Sequence, residues 1–400
     1  MKILAMDGGN GINTADLLQR LETATVKNYL DQVNIFAGTS AGGINSLFFA
    51  ASENPTAALA TIQKFWSDVN RSILEGMQAD EVVRKALAGA QSNPIAPVLS
   101  DQWQDIAGSI FRTILGLGEA AAGCRSLFLN DVLKKFLIQY FGATTTISDL
   151  KRYVVIVSYE LDNGKPGIAR SWVPRLFTNL PYTPVGPKGA MKAATSPDSN
   201  ELIVDVALRT AAAPLELPIY QSSTGTGPGY VDGGLVANNP AMIALSAIVG
   251  TLASGNSSAG VVPPTESLSR IYMLSIGTGR NLVGTAQYLD PEFKDGSAPW
   301  GYRQWLFNPA DPLVLIDAFL QGGNEATAWE CGILMGGDHF HRLNVPLEHM
   351  LVPTDPETAA WVADTAAWLE KSPWYTQSVV GLSALVKPLG GPVPGTQSVE

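Results

Sequence analysis

Histidine, cysteine and clustered positive charge are all scarce in this chain. Its 400 residues include 2 cysteines and 3 histidines. Cys124 and Cys331 stand far apart and in no metal-ligand spacing, so neither a disulfide framework nor a zinc site is expected, and two buried thiols in a reducing compartment account for them. No metal and no cofactor is expected. The formal net charge is −10 and no Lys/Arg cluster interrupts it, which excludes nucleic-acid binding by phosphate neutralisation and argues against attraction to anionic headgroups as the main binding force. No run of 18 apolar residues occurs, so nothing is expected to span a bilayer. The start, MKILAMDGG, turns polar too soon for a signal peptide. A soluble, cytoplasmic protein is the expectation.

What is present is core-forming material. Hydrophobic residues make up 46% and charged residues 16%, which places the chain among folded globular proteins. KILAM (2–6) predicts a buried strand running into DGGNG. Leu17, Leu18, Leu21, Val26 and Leu30 predict a helix over 14–30. VNIFAG (33–38) predicts a second strand, and Ile44, Leu47, Phe48 and Ala51 a helix over 41–52. Strand, helix, strand, helix at short intervals argues for parallel βαβ units. Residues 54–150 predict a helical insertion, broken at Pro94, Pro97 and Gly116–Gly118. Within it, 106–123 fits a packed helix pair better than a mobile lid. Further strands are expected at 152–161, 271–277 and 340–345, loops or a strand pair over 162–200, and helices at 202–213, 312–335 and 356–372. The Pro/Gly-rich residues 386–400 predict a flexible tail, and there is no internal repeat.

Gly38-Thr39-Ser40-Ala41-Gly42 has the pattern Gly-x-Ser-x-Gly between a predicted strand and a predicted helix. A sharp turn there exposes the serine oxygen above the strand ends, and the helix N-terminus favours a developing negative charge. A Gly-rich turn around a buried serine fits the same letters, so the rest of the chain must supply a base and an anion site. Asp7-Gly8-Gly9-Asn10-Gly11 stands between the first strand and first helix and matches neither dinucleotide nor P-loop patterns. Its glycines permit a close approach of N–H groups to one point. Two kinds of base are open: one of the late histidines (His339, His341, His349) or Asp232 in Asp232-Gly233-Gly234. An aspartate is a weak base in water but accepts a proton if held in reach in a partly dry site.

GTSAGG after a strand, the N-terminal DGG loop, and a distant DGG followed by NNP resemble the patatin-like phospholipases. TAAAP (210–214), LSIGTG (274–279) and HRLNV (341–345) agree, so the resemblance runs over about residues 1–345. It implies a three-layer α/β/α sandwich with a mostly parallel central sheet, a single catalytic domain over 1–385. It implies lipid acyl hydrolysis of the phospholipase A or lysophospholipase type, with Ser40 as nucleophile, Asp232 as base, and Gly8, Gly9, Asn10 and Gly11 forming the oxyanion loop. The expected partners are a lipid or acyl-ester substrate and a transient membrane-surface contact. The family's first loop usually reads Asp-Gly-Gly-Gly-x-Arg-Gly. Here it is two residues shorter, with Asn10 where the basic residue is expected. A Ser-Asp-His esterase of α/β-hydrolase type and an acyltransferase or lipid-binding relative are the competing expectations.

Overall fold

The computed structural model of the protein describes residues 1–79, 130–161, 172–180, 192–193, 201–214, 216–253, 262–280, 296–297, 300–301, 304–305, 314–350, 352 and 354–375. Strand β1 (Lys2–Met6) is buried at all five positions, as befits a strand covered on both faces. It pairs in parallel with β2 (Ile35–Thr39) on one side and β7 (Tyr272–Ile276) on the other. β2 continues to β3 (Tyr153–Glu160) and β7 to β8 (Phe340–Leu343), again in parallel. Beyond β3 lie β4 (Val173–Thr178), antiparallel to it, and the two-residue β5 (Lys192–Ala193). The short β6 (Tyr230–Asp232) also runs antiparallel to β3. The sheet order is β5-β4-β3-β2-β1-β7-β8, with β6 joined to β3.

Side chains of successive strand residues point to opposite faces, and the core divides accordingly. Leu4, Met6, Phe36, Val154 and Ile156 face a cluster built with α1 (Gly11–Ala24), α2 (Ser40–Ala51), α3 (Pro55–Ala79), α4 (Asn130–Phe141) and α5 (Ile203–Thr210). Ile3, Ala5, Ile35, Ala37 and Val155 face the other cluster. That second layer includes α7 (Ala241–Ala253), which follows the four-residue α6 (Gly234–Ala237), together with α8 (Pro264–Leu268) and α9 (Val314–Met335). α10 (Leu347–Met350) and α11 (Pro356–Lys371) close the first layer near β8. The expected α/β class, with a mostly parallel sheet between helical layers, is what the chain adopts.

Two helices differ in their bounds from the sequence expectation for local reasons. α1 begins at Gly11 rather than 14, because the Asn10 side chain caps it by accepting from the N–H groups of Ile12 and Asn13. It ends at Ala24, and Leu30 falls in a separate single turn, Leu30–Gln32. α5 stops at Thr210 rather than running to 213, since Ala212 turns its carbonyl to the Asp232 N–H. Of the expected insertion, α3 and α4 are seen, whereas 80–129, including Pro94, Pro97 and the 106–123 stretch, lies outside the described residues. So does the 386–400 tail.

Candidate active site

One edge of β3 carries the geometry. β2 runs along it as far as Thr39, which stands opposite Val157. β6 takes over at the next position, with Asp232 opposite Ser158. Ser40 follows Thr39 directly, so the register sets it beside Asp232 although 192 positions separate them in sequence (232 − 40). The two side chains are neighbours, and hydrogen bonding by Ser40 is one of the effects that oppose the rise of the Asp232 pKa.

Ser40 is the first residue of α2 and has φ of 54°, the sole positive value at a non-glycine among the described residues. That left-handed conformation costs on the order of 1 kcal/mol at a serine and is kept where surrounding contacts over-determine it. Those contacts are visible. The Ser40 N–H donates to Thr210 Oγ1 at 2.9 Å, and Thr210 Oγ1 donates to the Val157 carbonyl at 2.5 Å. Thr39 Oγ1 donates to the Ala237 carbonyl at 2.7 Å. Gly42 comes so near the end of β1 that an added Cβ would meet the Met6 carbonyl oxygen at 2.3 Å, and one at Gly38 would meet the Gly42 carbonyl oxygen at 2.2 Å. Both glycines of the Gly-x-Ser-x-Gly pattern are therefore required by close backbone approach.

Asp232 is 5% exposed. Burial pushes its carboxyl up to about 6, against the opposing effect of the hydrogen bonds from Ser40 and the Gly234 N–H. The latter bond, to Oδ1, is 2.6 Å long. Gly233 follows Asp232 in the turn into α6, and its N–H reaches the Thr210 carbonyl at 3.3 Å. The half-buried Glu216 carboxyl is pushed up to about 8, by burial first and then by the Asp232 and Asp317 carboxylates. Of the two neighbouring acids, Asp232 is thus the one that ionises below neutrality.

The first loop wraps over this pair. A Cβ on Gly8 would lie 3.1 Å from Ser40 Cβ. Gly8 is clamped to the turn after Asp232: its N–H donates to the Asn238 carbonyl at 3.0 Å, and Asn238 Nδ2 donates back to the Gly8 carbonyl at 3.3 Å. With that N–H occupied, the backbone donors of the loop for which no acceptor is seen among the described residues are those of Gly9, Asn10 and Gly11. Gly9 has φ of 127° and packs on Thr278, whose hydroxyl also donates to the Gly8 carbonyl at 3.3 Å. Asn10 is buried at the start of α1, its Oδ1 spent on the cap. Gly11 faces the Trp66 indole and serves helix packing. Beneath the loop, Arg342 forks onto Asp7, with Nη1 2.8 Å from Oδ1.

The late histidines are engaged elsewhere. His339 Nδ1 pairs with the Ile271 carbonyl at 2.9 Å and its ring stacks on Tyr272. His341 Nε2 pairs with Thr365 Oγ1 at 3.0 Å, and burial pulls its pKa down. His349 pairs with Asp355, which raises its pKa. None has Ser40 or Asp232 among these partners. Cys331 is fully buried and burial pushes its thiol up to about 12, while Cys124 lies outside the described residues. Among the described residues no group of three or more His, Cys, Asp or Glu could hold a metal ion. Thr210 and Arg342 are not singled out by sequence reasoning, and Asn238 only as part of a helix N-cap, not for its contact with Gly8. Their only signal was membership in TAAAP, NNP and HRLNV.

Comparison with known proteins points one way. The family model for patatin-like phospholipases matches residues 4–245. The chain is 27% identical over 379 residues to CotR of Bacillus subtilis, described as a candidate sporulation hydrolase, covering 91% of this chain and 93% of that protein. It is 25% identical over 325 residues to a cGAMP-activated phospholipase of Escherichia coli strain TW11681, covering 79% of this chain and 71% of that one. It is 30% identical over 200 residues to patatin-like protein 2 of Arabidopsis thaliana, covering 48% of this chain and 43% of the plant protein.

Proposed function

From the membership of this chain in the patatin-like phospholipase family, which implies lipid acyl hydrolysis, we propose that it cleaves carboxylic esters of lipids, as a phospholipase A or lysophospholipase, through an acyl-enzyme on Ser40 with Asp232 as general base. The observation that carries the proposal is the juxtaposition of Ser40 and Asp232, set by the handover from β2 to β6 along β3.

The steps follow from the groups in place. Asp232 accepts the hydroxyl proton as Ser40 Oγ attacks the ester carbonyl. The oxygen that becomes negative needs donors already oriented towards it. Gly9 N–H and the first-turn N–H of Ala41 are suited to this, because Gly8 and Ser40 have spent theirs on Asn238 and Thr210. Protonated Asp232 then passes its proton to the departing alcohol oxygen. Water repeats the sequence: Asp232 takes a water proton, hydroxide adds to the acyl carbonyl, and Ser40 leaves with the proton returned. A carboxyl at about 6 is a stronger base than one at its ordinary 3.8 and still ionised at neutral pH, which suits the role. Leu235 and Val236, 48% and 37% exposed, follow the base and give the rim an apolar character that fits an acyl chain.

A fluorophosphonate probe tests the assignment. Wild type is expected to label at Ser40 and Ser40→Ala not at all. Equal labelling of the two would end the proposal. A panel of phospholipids, lysophospholipids, galactolipids and short p-nitrophenyl esters then orders the substrates by kcat/KM. No helix among the described residues is long and apolar enough to cross a membrane.

A further inference from the structure

The first loop of this chain has no cation of its own, yet a cation reaches it from β8. Asp7, the residue at which β1 becomes the loop, is 1% exposed. Its N–H is held by the Ile276 carbonyl at 3.0 Å. Both carboxylate oxygens are taken by one guanidinium: Arg342 Nη1 donates to Oδ1 at 2.8 Å and Nη2 donates to Oδ2. Burial alone would favour the protonated carboxyl, and the guanidinium opposes it. A planar fork on two oxygens fixes orientation as well as charge. The direction in which Gly8 and Gly9 leave the sheet is thereby set.

The same guanidinium reaches the other half of the site. Arg342 Nη1 also donates to Ser275 Oγ at 2.8 Å, and that hydroxyl donates to Asn239 Oδ1 at 3.4 Å. Asn239 Oδ1 also caps α7 through the Ala241 N–H, and its neighbour Asn238 clamps Gly8. One side chain therefore ties the start of the anion loop directly, and the turn after the base by relay.

We propose that Arg342 is a positioning residue for the oxyanion loop: its bidentate pair with Asp7 and its bond to Ser275 hold the Gly9 N–H in register with Ser40, supplying from β8 the anchoring that a loop without a basic residue lacks. The proposal rests on the hydrolase reading above. A loop displaced by about 1 Å loses on the order of 100-fold in rate, as does the loss of one oxyanion donor. Substrate binding outside that loop is untouched, so the loss falls on kcat and not on KM.

The test uses Arg342→Gln, Arg342→Lys and the double variant Asp7→Asn/Arg342→Gln, assayed on a soluble p-nitrophenyl ester, with rates counted per fluorophosphonate-titrated site. Arg342→Gln is expected to lose about 100-fold in kcat with KM within about 3-fold of wild type, and its rate of fluorophosphonate labelling to fall in parallel, because phosphonylation uses the same donors. Arg342→Lys keeps the charge, loses the fork, and is expected to fall about 10-fold. The double variant replaces the ion pair by facing amides and is expected to regain about 10-fold over Arg342→Gln, since no unpaired buried carboxylate remains. If Arg342→Gln does not fold, Arg342→Lys and the double variant carry the same reading. Wild-type labelling with kcat per titrated site unchanged in the folded variants overturns the positioning role and leaves the hydrolase standing. Absence of wild-type labelling at Ser40 overturns both.

Discussion

The elbow at Ser40 and the turn at Asp232 are neighbours on one edge of β3, yet they hold their side chains at different kinds of cost. At the elbow the cost is in the backbone: Ser40 sits at φ of 54°, and Thr210 and two tightly packed glycines keep it there. At Asp232 the backbone is an ordinary short strand running into a helical turn, and the cost is electrostatic, a carboxylate withdrawn from water and raised to about 6. Strain in a dihedral is indifferent to pH. Desolvation of an acid is not. The two regions can therefore be separated by titration, even though a single variant at either would silence the same reaction.

Asp232→Asn should show the larger effect of the two. Turnover is expected to fall about 1,000-fold or more, as when a positioned base is removed from a serine hydrolase, measured as kcat on a soluble ester. Stability should move the other way. The folded state prefers the protonated acid, so the wild-type contribution is complete below the ordinary value of 3.8 and is lost as pH rises through about 6. Above that, a neutral isostere avoids burying the charge and should be more stable by up to about 3 kcal/mol, taking 1.36 kcal/mol per unit. The difference between variant and wild type in chemical denaturation should be greatest at pH 8 and disappear near pH 4. The wild-type kcat should decline on the acid side with a midpoint near 6, since Asp232 must be ionised to accept a proton. A stability difference that ignores pH would show that Asp232 is not held as a desolvated acid.

The two regions also differ in how much of them the sequence discloses. Ser40 stands in a five-residue pattern between a strand and a helix that hydrophobic periodicity identifies, so its local setting is legible. The buried strands themselves are legible for the same reason, because KILAM, VNIFAG and IYMLSIG are continuous apolar runs, whereas their order in the sheet is not. Asp232 is legible as an acid in a Gly-Gly turn and as part of a family pattern, but β6 has three residues, too few for any periodicity to announce a strand. That β6 takes over the edge of β3 where β2 ends is a register fact with no local signature. Thr210 is hidden because its hydroxyl acts on backbone groups, Ser40 N–H and the Val157 carbonyl, and not on a side chain that would share a motif with it. Arg342 pairs with Asp7 across 335 positions, and nothing in either neighbourhood names the other.

Thr210 tests the join between the two regions and should give an intermediate effect. Thr210→Val keeps the shape but removes the acceptor for the Ser40 N–H and the donor to Val157. It strands a buried N–H and carbonyl, which costs about 1–3 kcal/mol of stability. The elbow should relax, and kcat is expected to drop about 10-fold with KM little changed. Thr210→Ser, which keeps the hydroxyl, should stay within about 3-fold of wild type. If Thr210→Val keeps its activity while Thr210→Ser loses it, it is the methyl packed near Gly43 and not the hydroxyl that sets the elbow.

The smallest effect is the most specific to the elbow. Ser40→Ala and Ser40→Gly both abolish the nucleophile, so activity does not tell them apart. Stability should. Alanine at a φ of 54° keeps the steric cost between Cβ and the backbone, whereas glycine adopts that region freely. Against this, glycine loses more entropy on folding, and at a helix N-terminus that loss is smaller than within a helix. The net expectation is that Ser40→Gly is more stable than Ser40→Ala by about 1 kcal/mol, read from denaturation midpoints at matched slope. Unlike the Asp232→Asn difference, this one should be the same at pH 5 and pH 8, because the hydroxyl and its proton are absent from both variants and only a backbone dihedral separates them. A glycine advantage that grows with pH would mean that removing Cβ lets water reach the Asp232 carboxylate, so that the elbow guards the dryness of the base as well as aiming the serine.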